Sequence, residues 1–450
     1  MSLAGERVRE TPVWAALALG VWAAAIGFRP ILAVPIAALL LIWWTLRTPV
    51  RWLALFFCAV LLLPPLPIPI GDSGPHPSLV FAALGLLAGA LWMSEWRLPA
   101  NSLNLAFAAL FTMLLASVGP AAMYSGEIAA AGSAARVLLF GVSVYVYFYS
   151  AWGPARVVDA ARSVRFLYAA AVLAALFACV DFYFQFPAPA GYGPQFVWLD
   201  SGVYRRAQGL FYEASTLGNF CVFFLVMIAA AFSRPREESP VSRKWLVAGG
   251  AVLLAALVLS YSRASLLNLG VALIVLVWRN RRRVPISRVA MLAAGGALLT
   301  WLVFPAFVEI YWLRLSSTAE FFFTATEGVL SGRVASWRTL VDWVTAHPWQ
   351  ALTGIGYKTL PYTNYLGAAV VADNQYLALL VETGVAGLAA LVWLNVAILR
   401  AALRARESLY GTWILCFWAG QVVQMASGDL LTYWRVLPVY FFVLALAVRV

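Results

Sequence analysis

At 450 residues, 63% hydrophobic and 11% charged, with a mean hydropathy of +0.85, the chain lies outside the composition of soluble globular proteins and reads as an integral membrane protein. The net charge of +12 invites a nucleic-acid reading, but its placement between apolar segments is that of membrane topology, so no nucleic-acid partner is expected. Cys58, Cys179, Cys221 and Cys416 all lie in apolar runs, which excludes a disulfide framework or a zinc site as the organising element.

Apolar segments recur along the whole length, each about long enough to cross a ~30 Å hydrocarbon core. They fall at roughly 13–28, 31–46, 51–66, 78–94, 103–122, 134–152, 164–185, 209–232, 245–260, 264–279, 289–308, 375–399, 410–427 and 433–449. The expected fold is all-α, a polytopic bundle of about 12–14 transmembrane helices forming one integral membrane domain over 1–450. The first run lacks a small-residue cleavage site and reads as a retained span. An even span count puts both termini on one side. With the N-terminus inside, 21 of the 31 Lys and Arg fall on the cytoplasmic face, which sets the orientation.

The ten outer basic residues are Arg29, Arg136, Arg205, Arg206, Arg263, Arg314, Arg333, Arg338, Lys358 and Arg435. Snorkelling to the interface accounts for Arg29 and is open for Arg136 and Arg314. The others call for anionic partners.

Residues 186–208 form a compact non-helical outer connection rich in Gly, Pro and aromatics. It leads into RAQGLFYEASTLGNF, where Arg206 and Glu213 sit at the mouth of a span, either as a helix-anchoring ion pair or as site residues. The apolar interval Trp245 to Trp278 would be ~51 Å long as one helix, too long for the bilayer core. Two spans joined at Ser260–Ser265 fit better, leaving Arg263 recessed below the outer surface. The following Arg279–Arg288 segment, containing RNRRR, is a topology anchor against anionic lipid.

The longest loop, 309–374, exceeds ordinary connection lengths and is too rich in aromatic and aliphatic residues to be disordered. Val334, Trp337, Leu340, Val341 and Val344 recur at helical spacing, predicting an amphipathic helix over about 333–345, entered through Ser331–Gly332 and ended by His347–Pro348. Trp337, Trp343 and Trp349 would place it at the membrane interface. Gly354-Ile355-Gly356 supplies a turn. Asp373 opens the next span as a helix cap or as a catalytic base, and Glu382, inside an apolar run, must face the protein interior as an orienting group. Asp429 and Arg435 flank the final outer turn and are expected to pair.

The order of these segments is familiar. SGR-x-x-x-W, HP, G-x-G and a polar pair opening the span Y-L-x-L-L-V-E-T-G resemble the shared domain of the O-antigen ligase and polymerase family. Arg263 in YSRAS matches that family's Ser-Arg motif, and Arg206-x-x-Gly209 looks like its upstream segment, so the likeness covers about 205–400. The resemblance implies a GT-C-like membrane glycosyltransferase whose long helical periplasmic loop, between the eleventh and twelfth spans, closes the site. Its donor would be a glycan on undecaprenyl pyrophosphate, with neither metal nor cofactor. Arg206, Arg263 and Arg333 carry over as pyrophosphate binders, with Arg338 added from the loop helix. Family ligases carry a His where this chain has Asp373. Asp373 is therefore the expected base, with Glu213 second, and a polysaccharide polymerase is favoured over ligation to lipid A core or to protein. The expected place is the bacterial inner membrane with the site facing the periplasm, and the expected acceptor is a lipid-linked glycan or the lipopolysaccharide core. A flippase of lipid-linked oligosaccharides is the alternative of another class, and no internal repeat supports it.

Overall fold

A computed structural model describes residues 30–66, 68, 75–189, 191–199, 202–280, 295, 298, 301, 302, 308, 309, 312, 313, 333–363, 365–367 and 369–449. The expected span 13–28, most of 289–308, Arg29, Arg314, residues 281–283 and the helix-entry residues Ser331 and Gly332 lie outside the described residues.

The described chain is built from helices: α1 (Pro30–Leu46), α2 (Arg51–Leu62), α3 (Ser78–Leu91), α4 (Ser102–Ala116), α5 (Val118–Ser125), α6 (Glu127–Ala151), α7 (Ala160–Phe184), α8 (Ala214–Phe232), α9 (Arg243–Leu259), α10 (Arg263–Asn280), α11 (Arg333–Ala346), α12 (Pro348–Thr353), α13 (Gln375–Arg404), α14 (Leu409–Gln424) and α15 (Leu437–Val448). Among the described residues, 6 helical stretches are long and apolar enough to cross a membrane: Ser102–Ser125, Glu127–Ala151, Ala160–Phe184, Ala214–Phe232, Arg263–Asn280 and Gln375–Arg404. The protein is thus a helical integral membrane protein. The all-α expectation needs one correction, a two-stranded antiparallel hairpin of β1 (Phe196–Leu199) and β2 (Gly202–Arg205), with Phe196 opposite Arg205. Val197 and Tyr204 alternate with their neighbours as a pleated pair requires, and Gly202 (φ 142) takes the turn's far side.

Two helices are apolar on every side and are therefore buried on every side. α15 is buried from Leu437 to Ala447, and α8 is buried over most of its length. α15 packs along α6 and α14, while α10 packs along α14 and α8. Phe223 of α8 meets Trp413 of α14 at 4.3 Å and Tyr440 of α15 at 4.4 Å between ring centroids, an aromatic joint at the centre of the bundle. Beside it Gln424 Oε1 accepts from Asn219 Nδ2 (2.8 Å) and Asn268 Nδ2 (2.9 Å), and the Tyr440 hydroxyl donates to Asn219 Oδ1 (2.6 Å). These polar contacts tie α8, α10, α14 and α15 together where apolar packing alone would leave register free.

The interval that is too long for one span breaks between Leu259 and Arg263. Tyr261 takes φ 50 there, and the Ser262 hydroxyl accepts from Ser265 N (3.4 Å), capping α10 as serine does. Gly218 of α8 lies against this turn, since a Cβ on it would meet Ser260, Ser262 and Ser265 side-chain atoms within 3 Å.

α13 is broken as well. Gly384 (φ 72, ψ −176) interrupts it, and the carbonyls freed by the break accept from the loop: Ile355 N donates to Val381 O (3.0 Å) and Gly356 N to Glu382 O (2.9 Å). An unsatisfied carbonyl is costly inside a membrane, so the Gly354-Ile355-Gly356 turn and the broken helix require one another. A Cβ on Gly354 would strike the Glu382 carbonyl, and one on Gly384 the Leu352 carbonyl. The G-x-G turn of the sequence is therefore a docking surface for α13.

The described part of the long loop carries its own apolar core: Leu340, Trp343, Ile355, Leu360, Val370 and Ala372 close on Ala378 and Val381 of α13. The expected amphipathic helix is α11, but only one of its neighbouring tryptophans faces outward. Trp349 is 78% exposed, whereas Trp343 is buried against His347, and Trp337 Nε1 donates to Ala372 O (2.7 Å). Two of the three indoles hold the loop to itself, not to a lipid surface.

Candidate active site

The charged residues expected at the outer face gather where α8, α10, α11 and α13 begin. Arg206 Nε donates to Ser260 O (2.9 Å), and Ala207 N donates to Leu259 O (2.8 Å). The segment after the hairpin is thereby pinned to the C-terminal end of α9, and Arg206 stands at the same helix break from which Arg263 starts α10. Gly209 (φ 53) then turns the chain against Ala178, where a Cβ would clash. Gln208 Nε2 donates to Gly193 O (3.1 Å) and Tyr212 O (2.8 Å), and Gln195 Oε1 accepts from Ala214 N (3.0 Å). Since Gln195 satisfies the first amide of α8, the Glu213 carboxyl is left for other work.

Glu213 receives a hydrogen bond from the Thr216 hydroxyl (2.5 Å). Burial pushes its carboxyl above the ordinary carboxylate range, while the Thr216 bond and the charges of Arg206 and Lys358 pull it back and Asp373 adds to the rise. The Arg206–Glu213 proximity expected from sequence is therefore present as a field within a larger cluster, while Arg206 Nε is bonded to Ser260 O.

Arg333, at the start of α11, donates from Nε to Asp373 Oδ2 (2.9 Å). The helix-capping reading of Asp373 is corrected: the side chain of Asn374 caps α13, accepting from Tyr376 N (3.0 Å) and Leu377 N (3.1 Å), while Asp373 (φ 43) turns away to Arg333. Arg338 is exposed on α11, further along the helix than the pair.

The expected pairing of Asp429 with Arg435 is also corrected. Lys358 Nζ pairs with Asp429 Oδ2. Arg435 is buried and instead satisfies backbone carbonyls: Nε donates to Val60 O (3.1 Å), Nη2 to Val60 O (2.7 Å) and Leu63 O (2.9 Å), and Nη1 to Leu210 O. Val60, Leu61 and Leu62 end α2, whose last carbonyls need donors that lipid cannot give. Arg435 supplies them, and its hold on Leu210 fixes the turn between Arg206 and Glu213. Arg136, open to a snorkelling reading, points inward instead, donating to Tyr362 Oη (2.9 Å) and Lys358 O (3.3 Å).

Lys358 is the site residue that sequence reasoning missed. It is only 8% exposed and takes φ 60. Burial draws its ammonium down to about 8, against the pull of Glu382, Glu213 and Asp373. Its partner Asp429 lies 71 residues away in the chain, so no local pattern announces the pair; the one available signal was its place among the outer basic residues. Glu382 is buried, as its apolar setting demanded, and its charge acts on Lys358. Its backbone carbonyl accepts from Gly356 N, two residues before Lys358 (2.9 Å).

Among the described residues, five non-glycine positions have positive φ: Gln185, Tyr212, Tyr261, Lys358 and Asp373. Four of them adjoin or belong to this cluster, beside Glu213, beside Arg263, and at Lys358 and Asp373 themselves. Strained backbone of this kind persists where the surrounding structure imposes it, and it concentrates at functional sites. No group of three or more His, Cys, Asp or Glu able to hold a metal occurs among the described residues.

Helices long and apolar enough to cross a bilayer, with guanidinium, ammonium and carboxylate groups gathered at one end, define a helical membrane protein with a charged cluster where its helices begin. Residues 248–392 match the family model described as O-Antigen ligase, which supports the resemblance to the O-antigen ligase and polymerase family read from the sequence. The matched stretch holds Arg263, Arg333, Arg338, Lys358 and Asp373, while Arg206 and Glu213 precede it. No curated protein matches the chain.

Proposed function

We propose that the protein is a periplasm-facing glycosyltransferase of the inner membrane that moves a glycan from undecaprenyl pyrophosphate to an acceptor hydroxyl, with a second lipid-linked glycan as the favoured acceptor. The observation that carries this reading is the shared position of Arg206 and Arg263 at one helix break, with Lys358 and Glu213 in the same electrostatic cluster. A diphosphate leaves readily once its charge is held, and guanidinium groups hold it with permanent charge and paired donors. In the step itself the acceptor oxygen bonds to the anomeric carbon, the bond from that carbon to the diphosphate oxygen breaks with its electron pair, and the acceptor proton passes to a carboxylate.

Glu213 suits that last role, because burial raises its proton affinity towards the operating pH, where a general base works best. Asp373, expected from the sequence as the base, is held by Arg333 and fits better as the group that orients it. Polymerization is favoured over ligation by Asp373 standing where family ligases carry His, and by the Glu-Ala-Ser that follows Arg206.

The test is reconstitution in proteoliposomes with an undecaprenyl-pyrophosphate-linked glycan, alone and with lipid A core. Chain extension without core is the expected result. Arg263→Ala and Glu213→Gln should each lower transfer ~10²–10³-fold, the usual loss for one such contact, with the thermal unfolding midpoint retained. Wild-type activity in both variants rejects the site, and movement of the donor across the bilayer without a new glycosidic bond rejects the transferase.

A further inference from the structure

The far end of the bundle holds a second basic site. α6 and α15 pack side by side and join the two ends: Arg136 and Arg435 mark them at the charged cluster, Trp152 and Arg449 at the other. At 1.5 Å per residue, the helical path from Arg136 to Trp152 sets these ends ~24 Å apart. There Arg97, Leu98, Pro99, Ala151, Trp152, Arg156, Val157, Val448 and Arg449 enclose a groove of about 740 Å³.

Its walls are fixed by contacts. Arg97 N donates to Trp152 O (2.8 Å), and the Trp152 indole donates to Asn104 Oδ1 (3.1 Å). Arg449 Nη2 donates to Ala155 O (2.8 Å) and to Ser150 O, and its Nε is buried with no hydrogen-bond partner. Arg156 is held by Glu95, from Nη1 to the carbonyl (3.0 Å) and from Nη2 to the carboxylate (3.5 Å). The Arg97 side chain is exposed, and among the described residues its guanidinium has no partner. Three arginines therefore line an opening beside which Glu95 is the one carboxylate bonded to any of them, and the other walls include Leu98, Pro99, Val157 and Val448. A cationic floor beside an apolar flank matches a phosphate group joined to a hydrocarbon body, and indole rings favour this depth of the bilayer boundary.

We propose that this groove binds a phosphate group, carried there by the headgroup of an anionic membrane lipid. The inference is independent of the glycan-transfer reading, because no residue of the groove belongs to that cluster.

The full chain in nanodiscs would be released into native mass spectrometry with phosphatidylglycerol, phosphatidylcholine or inorganic phosphate as probe. Phosphatidylglycerol should be retained several-fold more than phosphatidylcholine. Retention should fall roughly fivefold for each charge removed in Arg97→Gln and in Arg97→Gln with Arg156→Gln, and Arg97→Lys should keep it. Competition by inorganic phosphate at millimolar level, with the same dependence on Arg97, would identify a soluble phosphate as the source and preserve the site. Equal retention of both lipids, or retention unchanged in the double variant, overturns the proposal. Arg97 has no structural contact through its side chain, so the single variant reports binding even where the double one folds poorly.

Discussion

At the residue scale, two groups with opposite displacements from their ordinary titration stand in one cluster. In the proposed transfer Glu213 must lose its proton to accept one, so activity should climb as pH passes above the ordinary carboxylate range. In the same proposed transfer Lys358 must keep its proton to attract the donor, so the apparent KM for the donor should rise as pH passes about 8. The expected profile is a bell, and Lys358→Arg should remove its alkaline limb while leaving the acid one, because guanidinium stays charged throughout. An alkaline limb unchanged in that variant would take Lys358 out of donor binding. The arginines of this cluster were legible from sequence, because outer basic residues depart from membrane topology. Their partners were not: Lys358–Asp429 and Arg435 with the carbonyls of α2 join segments far apart in the chain, and only the packed helices bring them together.

At the element scale, the break between α9 and α10 could be read from length alone, since 34 apolar residues exceed one bilayer crossing. The break in α13 could not, because Glu382-Thr383-Gly384 sits inside a run of ordinary length and the cause is a turn 30 residues upstream. Gly384→Ala should cost about 1–3 kcal/mol, the usual price of a side chain forced into such backbone, and should open the 354–363 segment to limited proteolysis. Gly354→Ala, which meets the Glu382 carbonyl, should do the same. Unchanged thermal unfolding and protease patterns in both would show that turn and helix do not depend on one another. The hairpin escaped notice because Gly, Pro and aromatic residues mark a connection without marking which strands within it pair.

At the scale of the whole molecule, the sequence announced a membrane bundle through composition, and the two largely apolar helices buried at its centre follow from the same rule. The polar contacts that register α8, α10 and α14 could not be foreseen, since Asn219, Asn268 and Gln424 are isolated from one another in the sequence and meet only across packed helices. Replacing Gln424 by Leu removes the acceptor of two hydrogen bonds, each worth about 0.6–1.7 kcal/mol inside a membrane. A lowered unfolding midpoint in detergent is expected, and a raised one would show that apolar packing alone sets the register.

The left-handed turns at Tyr212, Tyr261, Lys358 and Asp373 carry a further implication for anyone seeking a hardier protein. Glycine enters that conformation without a steric penalty, so Asp373→Gly, at a side chain 41% exposed, should tolerate more heat than the parent chain. It would also release Arg333. Selection for ruggedness would therefore erode this corner first, and a variant that resists heat but loses the proposed glycan transfer would record what the twisted backbone is for.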